Sequence, residues 1–312
     1  MKKEDVKILF LGTPEIAAYV LEGLILNNYN IIGVVSQPDR EKNRKGMLLP
    51  TDTKVVAQKY NIPIYQFEKL KPNIDFFKKI NPDLILTIAY GKIVPEDILN
   101  IPKFGCLNLH GSILPKLRGA APIQRALFEG YKETGFTLMQ MVKEMDAGDM
   151  YAFEKVKIDD DDIFSTLFEK MKNAALELAL KNLPKYFNNE LIPIKQDLNE
   201  VSFANKIEKS DEKLSLDFGV FEFVNRVRGL SLKPGGYLLL ENKIFKILKC
   251  KKYNDIINHK VGELFIGQKN KLIIQLRDGQ VLLEKVQLQG KNVVDAVSFI
   301  NGHKDYLNQI LS

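Results

Sequence analysis

The chain has 312 residues, 45% hydrophobic and 27% charged, an ordinary globular composition with length enough for two domains. No run approaches ~18 apolar residues, and the opening MKKEDVKILFLG passes from charges straight into a strand-like segment with no cleavage pattern, so a cytoplasmic protein is expected. Two distant cysteines, Cys106 and Cys250, argue against a disulfide framework or a cysteine metal knuckle, and both are expected as reduced thiols.

The net charge of +6 is unevenly placed. Residues 1–205 hold 27 Lys+Arg against 27 Asp+Glu, and residues 206–312 hold 18 against 12, so the whole excess lies in the last third. A neutral first part and a basic second part suit contact with a polyanion; the alternative is a lysine-rich composition that merely favours solubility.

In chain order, VKILFL (6–11) reads as a buried strand. A helix follows to about Leu26, with Thr13 as its cap, Pro14 in its first turn and Glu15 near its positive end. Gly12-Thr13-Pro14 lacks the rest of a G-x-G-x-x-G series, and Pro14 removes a donor that a phosphate would use, so a capped helix start is favoured over a nucleotide site. NIIGVVS (30–36) is the second strand. The loop QPDREKNRKGMLLP (37–50) then places Arg40, Lys42, Arg44 and Lys45 against Asp39 and Glu41; it reads either as a solvated loop or as a nucleic-acid contact.

LILTIAY (84–90) and CLNLH (106–110) are further strands, and PIQRALFEG (122–130) is a helix. GFTLMQM (135–141) and MYAFEKVKI (150–158) form a strand pair around a turn at Asp146 to Asp149, before a long helix from about Ser165 to Phe187. Alternating strands and helices of this kind make a parallel sheet wrapped by helices. The four aspartates Asp159 to Asp162 are assigned to a helix cap rather than a metal site. Residues 190–206 carry no helical period and read as a linker. Beyond a helix at 219–230, short strands from Gly236 onward argue for a small barrel. His259 and His303 sit in polar surroundings and are expected at the surface without partners.

The chemistry concentrates at CLNLHGSILP (106–115). Alternation sends Leu107 and Leu109 to one face and Cys106, Asn108 and His110 to the other. An asparagine exchanges hydrogen bonds without titrating, and a histidine can also change charge near neutrality. With a carboxylate to orient the imidazole, for which Asp146 in EMDAGDM is the candidate, the set suits a reaction in which a carbonyl oxygen becomes an oxyanion while a proton moves. No nucleophile elbow is present, and Cys106 shares the strand face of His110, so direct transfer is preferred to a covalent acyl-enzyme. A satisfied polar cluster in a core is the competing reading.

NLHGSILPKLRGAAPIQRAL together with ETGFTLMQMVKEMDAGDM resembles the folate-dependent formyltransferases, and FLGTPEIAA, QPDR...KG...LP and AYGKIVP extend the resemblance over nearly the whole chain. AAPIQRA and the basic loop resemble the tRNA-acting branch of that family. The resemblance implies an α/β fold, a Rossmann-like parallel-sheet formyltransferase domain (1–189), then a linker (190–206) and a basic OB-like β-barrel domain (207–312) that binds tRNA. It further implies 10-formyltetrahydrofolate as formyl donor, the amino group of methionyl initiator tRNA as acceptor, no metal, and a monomer. By the same resemblance, Asn108, His110 and Asp146 are catalytic, and Ser112, Ile113, Leu114 and Pro115 lie against the folate. Arg40, Lys42, Arg44 and Lys45 on the loop and Lys249, Lys251 and Lys252 in the barrel are the expected tRNA contacts. The chain departs from the family's usual pattern in LSLKPGGY (230–237) and in having no tryptophan. Two rivals are a formyltransferase acting on an amino-sugar nucleotide or glycinamide ribonucleotide, and a non-catalytic RNA-binding protein on an old enzyme scaffold.

Overall fold

The computed structural model describes residues 2–41 and 48–312. These residues cluster into two compact units, one made of those that fall within 1–122, 133–157 and 169–204, the other of those within 123–132, 158–168 and 205–312.

Along the chain run β1 (Ile8–Gly12), α1 (Glu15–Leu26), β2 (Ile31–Ser36), β3 (Arg40–Glu41), β4 (Leu48–Leu49), α2 (Asp52–Lys59), β5 (Ile64–Gln66), α3 (Ile74–Ile80), β6 (Leu84–Ile88), α4 (Glu96–Leu99), β7 (Cys106–His110), α5 (Pro122–Phe128), β8 (Glu133–Gln140), β9 (Met150–Lys157) and α6 (Phe164–Phe187). The first unit is built on a seven-stranded sheet in the order β5-β2-β1-β6-β7-β8-β9. Neighbours from β5 to β7 are parallel, and β8 and β9 are added antiparallel. The apolar runs of β1 and β6 are buried throughout, as expected of parallel strands covered on both faces.

The strand order reverses beside β1: the chain proceeds outward through β2 and β5, then returns to β6 on the other side of β1. Loops leaving the carboxyl ends of strands at such a reversal diverge and open a crevice. Here they are tied together, because Thr13 Oγ1 donates to the Tyr90 carbonyl (3.1 Å), the Gln37 backbone N–H donates to Thr13 Oγ1 (3.3 Å), and Gln37 Nε2 donates to the Tyr90 carbonyl (2.8 Å). Thr13 therefore does not cap α1, whose N-cap is Pro14 with no side-chain bond. Glu15 instead holds the amino end with an ion pair to Lys172 (2.7 Å).

The second unit continues with α7 (Lys209–Glu212), α8 (Val220–Leu230), β10 (Gly236–Leu240), β11 (Lys243–Asn254), β12 (Leu264–Gly267), β13 (Lys271–Leu276), β14 (Gly279–Leu288), β15 (Val294–Asp295) and α9 (Ala296–Gly302). Its antiparallel sheet has the order β10-β11-β14-β13-β12, with β15 paired to β14. Residues 308–312 join the two terminal strands: the Leu264 N–H donates to the Gln309 carbonyl (2.9 Å), and Leu239 and Ser312 exchange backbone bonds (2.6 and 2.9 Å). Both edges are thereby covered, which is how a barrel removes its unpaired strands. Phe223, Phe245, Phe299, Ile274 and Leu283 fill the interior. His259, expected without a partner, pairs Nδ1 with Glu263 (3.1 Å) and stacks on Phe265, because the ring covers apolar surface that a free surface histidine would leave wet.

Candidate active site

β7 lies inside the first sheet, between β6 and β8, so both of its edges are paired. Leu107 and Leu109 are buried, each burial worth about 1.5–3 kcal/mol. On the other face Cys106 belongs to an apolar core cluster with Ile85 and Leu99, where burial pushes its thiol up to about 12. A thiol so placed stays protonated and is no nucleophile. The polar residues of that face therefore reduce to Asn108 and His110.

Asn108 is set by its strand neighbour. Thr87 on β6 pairs with it in register, and the Thr87 hydroxyl donates to Asn108 Oδ1 (2.8 Å). Accepting at Oδ1 turns the amide so that Nδ2 is its remaining donor, and among the described residues Nδ2 has no partner. An oriented, half-buried donor without a protein acceptor is the arrangement an incoming oxyanion requires.

His110, only 5% exposed, is held from two sides. Nε2 lies 2.9 Å from the Leu117 carbonyl, which can only accept, so Nε2 carries a proton. Nδ1 faces Asp146 Oδ2 at 3.6 Å, farther than a hydrogen bond reaches. Asp146 Oδ2 also accepts from the Gly119 N–H (2.9 Å). Two glycines make this possible. A Cβ on Gly119, at φ +121°, would lie 2.8 Å from the Ala204 carbonyl oxygen, and one on Gly148 would lie 1.9 Å from that of Gln140.

The SILP turn wraps the same corner. Thr137, opposite His110 on β8, donates Oγ1 to the Ser112 carbonyl (2.7 Å) and accepts from the Leu114 N–H (3.1 Å). Ser112 spends its own hydroxyl on the Lys116 carbonyl (2.6 Å), and Ser112 and Leu114 are buried while Ile113 and Pro115 keep partial exposure. Any surface the turn offers a ligand is thus from Ile113 and Pro115.

The structure brings Asn108, His110, Asp146 and the SILP turn into one cluster. Of the basic loop, Arg40 hydrogen-bonds through Nη2 to Gln37 Oε1, while Lys42, Arg44 and Lys45 lie outside the described residues. Beside it Lys54 and Gln66 hold the Asp39 carboxyl below the usual carboxylate range. In the second unit Lys249 and Lys251 share Glu284 on β14 (3.3 and 2.6 Å), and Lys252 pairs with Asp255. Burial alone would raise Glu284, but the bonds from the two lysines outweigh it and its carboxyl sits below the usual range. Thr87, Leu117, Gly119 and Thr137 escaped the sequence reading. Thr87 had a signal, a hydroxyl inside the otherwise apolar LILTI run, whereas Leu117 and Gly119 act through backbone atoms that every residue carries. Among the described residues no group of three His, Cys, Asp or Glu side chains is poised to hold a metal ion, and no helix is long and apolar enough to cross a membrane.

An α/β sheet with an oriented amide and a carboxylate-braced imidazole at one strand end, followed by a barrel-like unit, is a two-part architecture for group transfer. The chain belongs to the formyl transferase family: residues 6–183 match its formyl transferase domain and residues 206–304 its C-terminal domain. It is 42% identical over 299 residues to the methionyl-tRNA formyltransferase of Malacoplasma penetrans, covering 96% of this chain and 94% of that protein. To the enzyme of the same name from Caldicellulosiruptor saccharolyticus it is 38% identical over 311 residues, covering 98% and 99%. Among solved structures, WlaRD, a sugar 3N-formyl transferase crystallised with dTDP and 5-N-formyl-THF, superposes with a TM-score of 0.64 at 21% identity, covering 92% and 99%. HypX from Aquifex aeolicus in complex with tetrahydrofolic acid superposes at 0.64 and 16% identity; the chain covers 47% of it, about half its length. At these identities the superpositions speak for the fold. The family places a folate-derived co-substrate with this chain.

Proposed function

We propose that the chain transfers the formyl group of 10-formyltetrahydrofolate to the amino group of methionyl initiator tRNA, yielding the N-formylmethionyl-tRNA used to start translation, and that it works as a cytosolic monomer. The observation that carries this reading is the similarity to proteins named methionyl-tRNA formyltransferase, which runs through both units rather than the catalytic one alone.

In the proposed reaction the methionyl nitrogen forms a bond to the formyl carbon, and the bond from that carbon to the folate nitrogen breaks. Asn108 Nδ2, already turned by Thr87, donates to the oxygen that becomes negative in between. The proton lost by the amine passes to the departing nitrogen; Nδ1 of His110, the ring nitrogen not held by the Leu117 carbonyl, would be the base on that route, with Asp146 balancing the charge that the imidazole gains. The residues fit the folate-derived group on one local count, the unpartnered amide donor beside a turn whose Ile113 and Pro115 remain partly open. Ser112 and Leu114 shape that turn from within. Arg40, with Lys42, Arg44 and Lys45, would guide the acceptor end, and Lys249, Lys251 and Lys252 would meet phosphates of the tRNA body. Incubation with 10-formyltetrahydrofolate and either charged initiator tRNA or an amino-sugar nucleotide tests the assignment. Formylation of the tRNA is expected; formylation of the sugar nucleotide alone would overturn it.

A further inference from the structure

The two groups that face the ring nitrogens of His110 sit in loops, and both residues have positive φ, 60° at Leu117 and 52° at Asp146. Outside glycine that conformation is costly and persists where the surroundings over-determine it. One stretch supplies the bonds to both. Gln196 Nε2 donates to the carbonyls of Asp146 and Gly148, each at 2.8 Å. Its Oε1 accepts from Nε and Nη2 of Arg118 (3.0 and 2.8 Å), a side chain 3% exposed. Ser202 Oγ accepts from the Leu117 N–H (3.0 Å) and the Ser202 carbonyl from the Arg118 N–H (2.9 Å). The stretch is anchored at both ends, where Ile194 and Met150 exchange backbone bonds (2.8 Å each) and the Ala204 N–H donates to the Arg118 carbonyl (2.7 Å). A closed circuit results, from Asp146 through Gln196, Arg118 and Leu117 back to His110. Residues 194–204 themselves fall, in sequence, between the two matched family domains, which cover 6–183 and 206–304.

We propose that residues 194–204 form a positioning strap for His110, with Gln196 as the residue through which the strap holds the Asp146 loop. Neither Gln196 nor Ser202 touches the reacting atoms; both act through the partners of the imidazole. A buried amide suits this place because it joins a guanidinium, which only donates, to two carbonyls, which only accept. The catalytic part of the inference rests on the formyl-transfer reading, and the geometric part does not.

Gln196→Glu separates the roles. It keeps an oxygen acceptor for Arg118 but sets a carboxylate oxygen against the Asp146 and Gly148 carbonyls. The expected result is a fall in kcat of about 10- to 100-fold with KM for tRNA unchanged, since misplacing a catalytic group costs about that much. In 15N-histidine spectra, where three histidines contribute and His110 is assigned by its absence in His110→Ala, the His110 ring resonances should move. The exposed neighbour substitution Lys195→Ala should leave them in place. Ser202→Ala, which removes the acceptor of the Leu117 N–H without adding charge, should act in the same direction and less strongly, and decides the matter if Gln196→Glu does not fold. Unmoved His110 resonances in the folded variant overturn the strap, as does a loss expressed in KM alone. Were the wild type to formylate no tRNA, the functional reading would fall, and the resonance shifts would still decide the strap.

Discussion

β7 and β11 use the same alternation to opposite ends. In β7, Asn108 and His110 occupy every second position and point into a region closed by β6, β8 and the loops at 117 and 146, so each polar atom there has a fixed neighbour or a fixed direction. In β11, Lys249 and Lys251 also occupy alternate positions, but their face is solvated and their only fixed neighbour among the described residues is the shared Glu284. A period of two fixes which side chains travel together; what covers the face decides whether they become an oriented site or a field of charge. The first arrangement suits chemistry, where a misplaced donor is nearly useless. The second suits electrostatic attraction, which tolerates loose geometry and is screened by salt.

The sharpest way to break this contrast is Asn108→Ala. Removing an oxyanion donor costs about 10²- to 10³-fold in rate. The loss should appear in kcat with tRNA affinity retained, and near-normal turnover would take Asn108 out of the mechanism. Gly148→Ala comes next, because its Cβ would lie 1.9 Å from the Gln140 carbonyl oxygen and the Asp146 loop must shift to admit it. A kcat loss of about 10- to 100-fold is expected, with the barrel unit's tRNA affinity unaffected.

On the barrel side, neutralising Lys249, Lys251 and Lys252 together should lower the salt slope of tRNA binding, by up to about 0.7–0.9 for each phosphate that the variant no longer neutralises. Because two of the three already share a carboxylate, the drop should fall short of the value for three phosphates, and Glu284→Gln should tighten binding instead. Filter binding across a salt series reads both; an unchanged slope in the triple variant removes this strand from the tRNA interface. The smallest effect concerns acid stability. With its carboxyl held below its ordinary value of 4.5 in the folded chain, Glu284 contributes stability that is present above that value and lost as pH falls through its folded pKa. Urea unfolding at about pH 7 and about pH 3 should show up to about 1 kcal/mol of this dependence disappearing in Glu284→Gln.

Much of this architecture is readable from the sequence. Strand β7 runs from Cys106 to His110 as its alternation indicates, and the strand pair around the Asp146 turn is β8 with β9. Other features escape such a reading, each for a physical reason. Thr13 is a good helix cap by residue type, yet its hydroxyl joins the loops after β2 and β6, because buried carbonyls and amides from distant strands compete successfully with the local cap. Cys106 shares the strand face of His110 but ends in the apolar core, since Ile98 and Leu99 of α4 pack over that end of the face. Gln196 stands in a stretch without period or motif, and only its hydrogen bonds give it a meaning.

By itself the sequence determined which residues could share a face, where apolar runs would make strands and helices, and where the excess positive charge would lie, because backbone periodicity and residue charge are local properties. The tertiary structure alone decided that the Leu117 carbonyl would meet His110, the Gly119 N–H the Asp146 carboxylate, and the Gln196 amide the backbone of the Asp146 loop. Backbone groups are identical at every position and an amide side chain fits almost any loop, so their partners are settled only when distant segments are brought to within about 3 Å of one another.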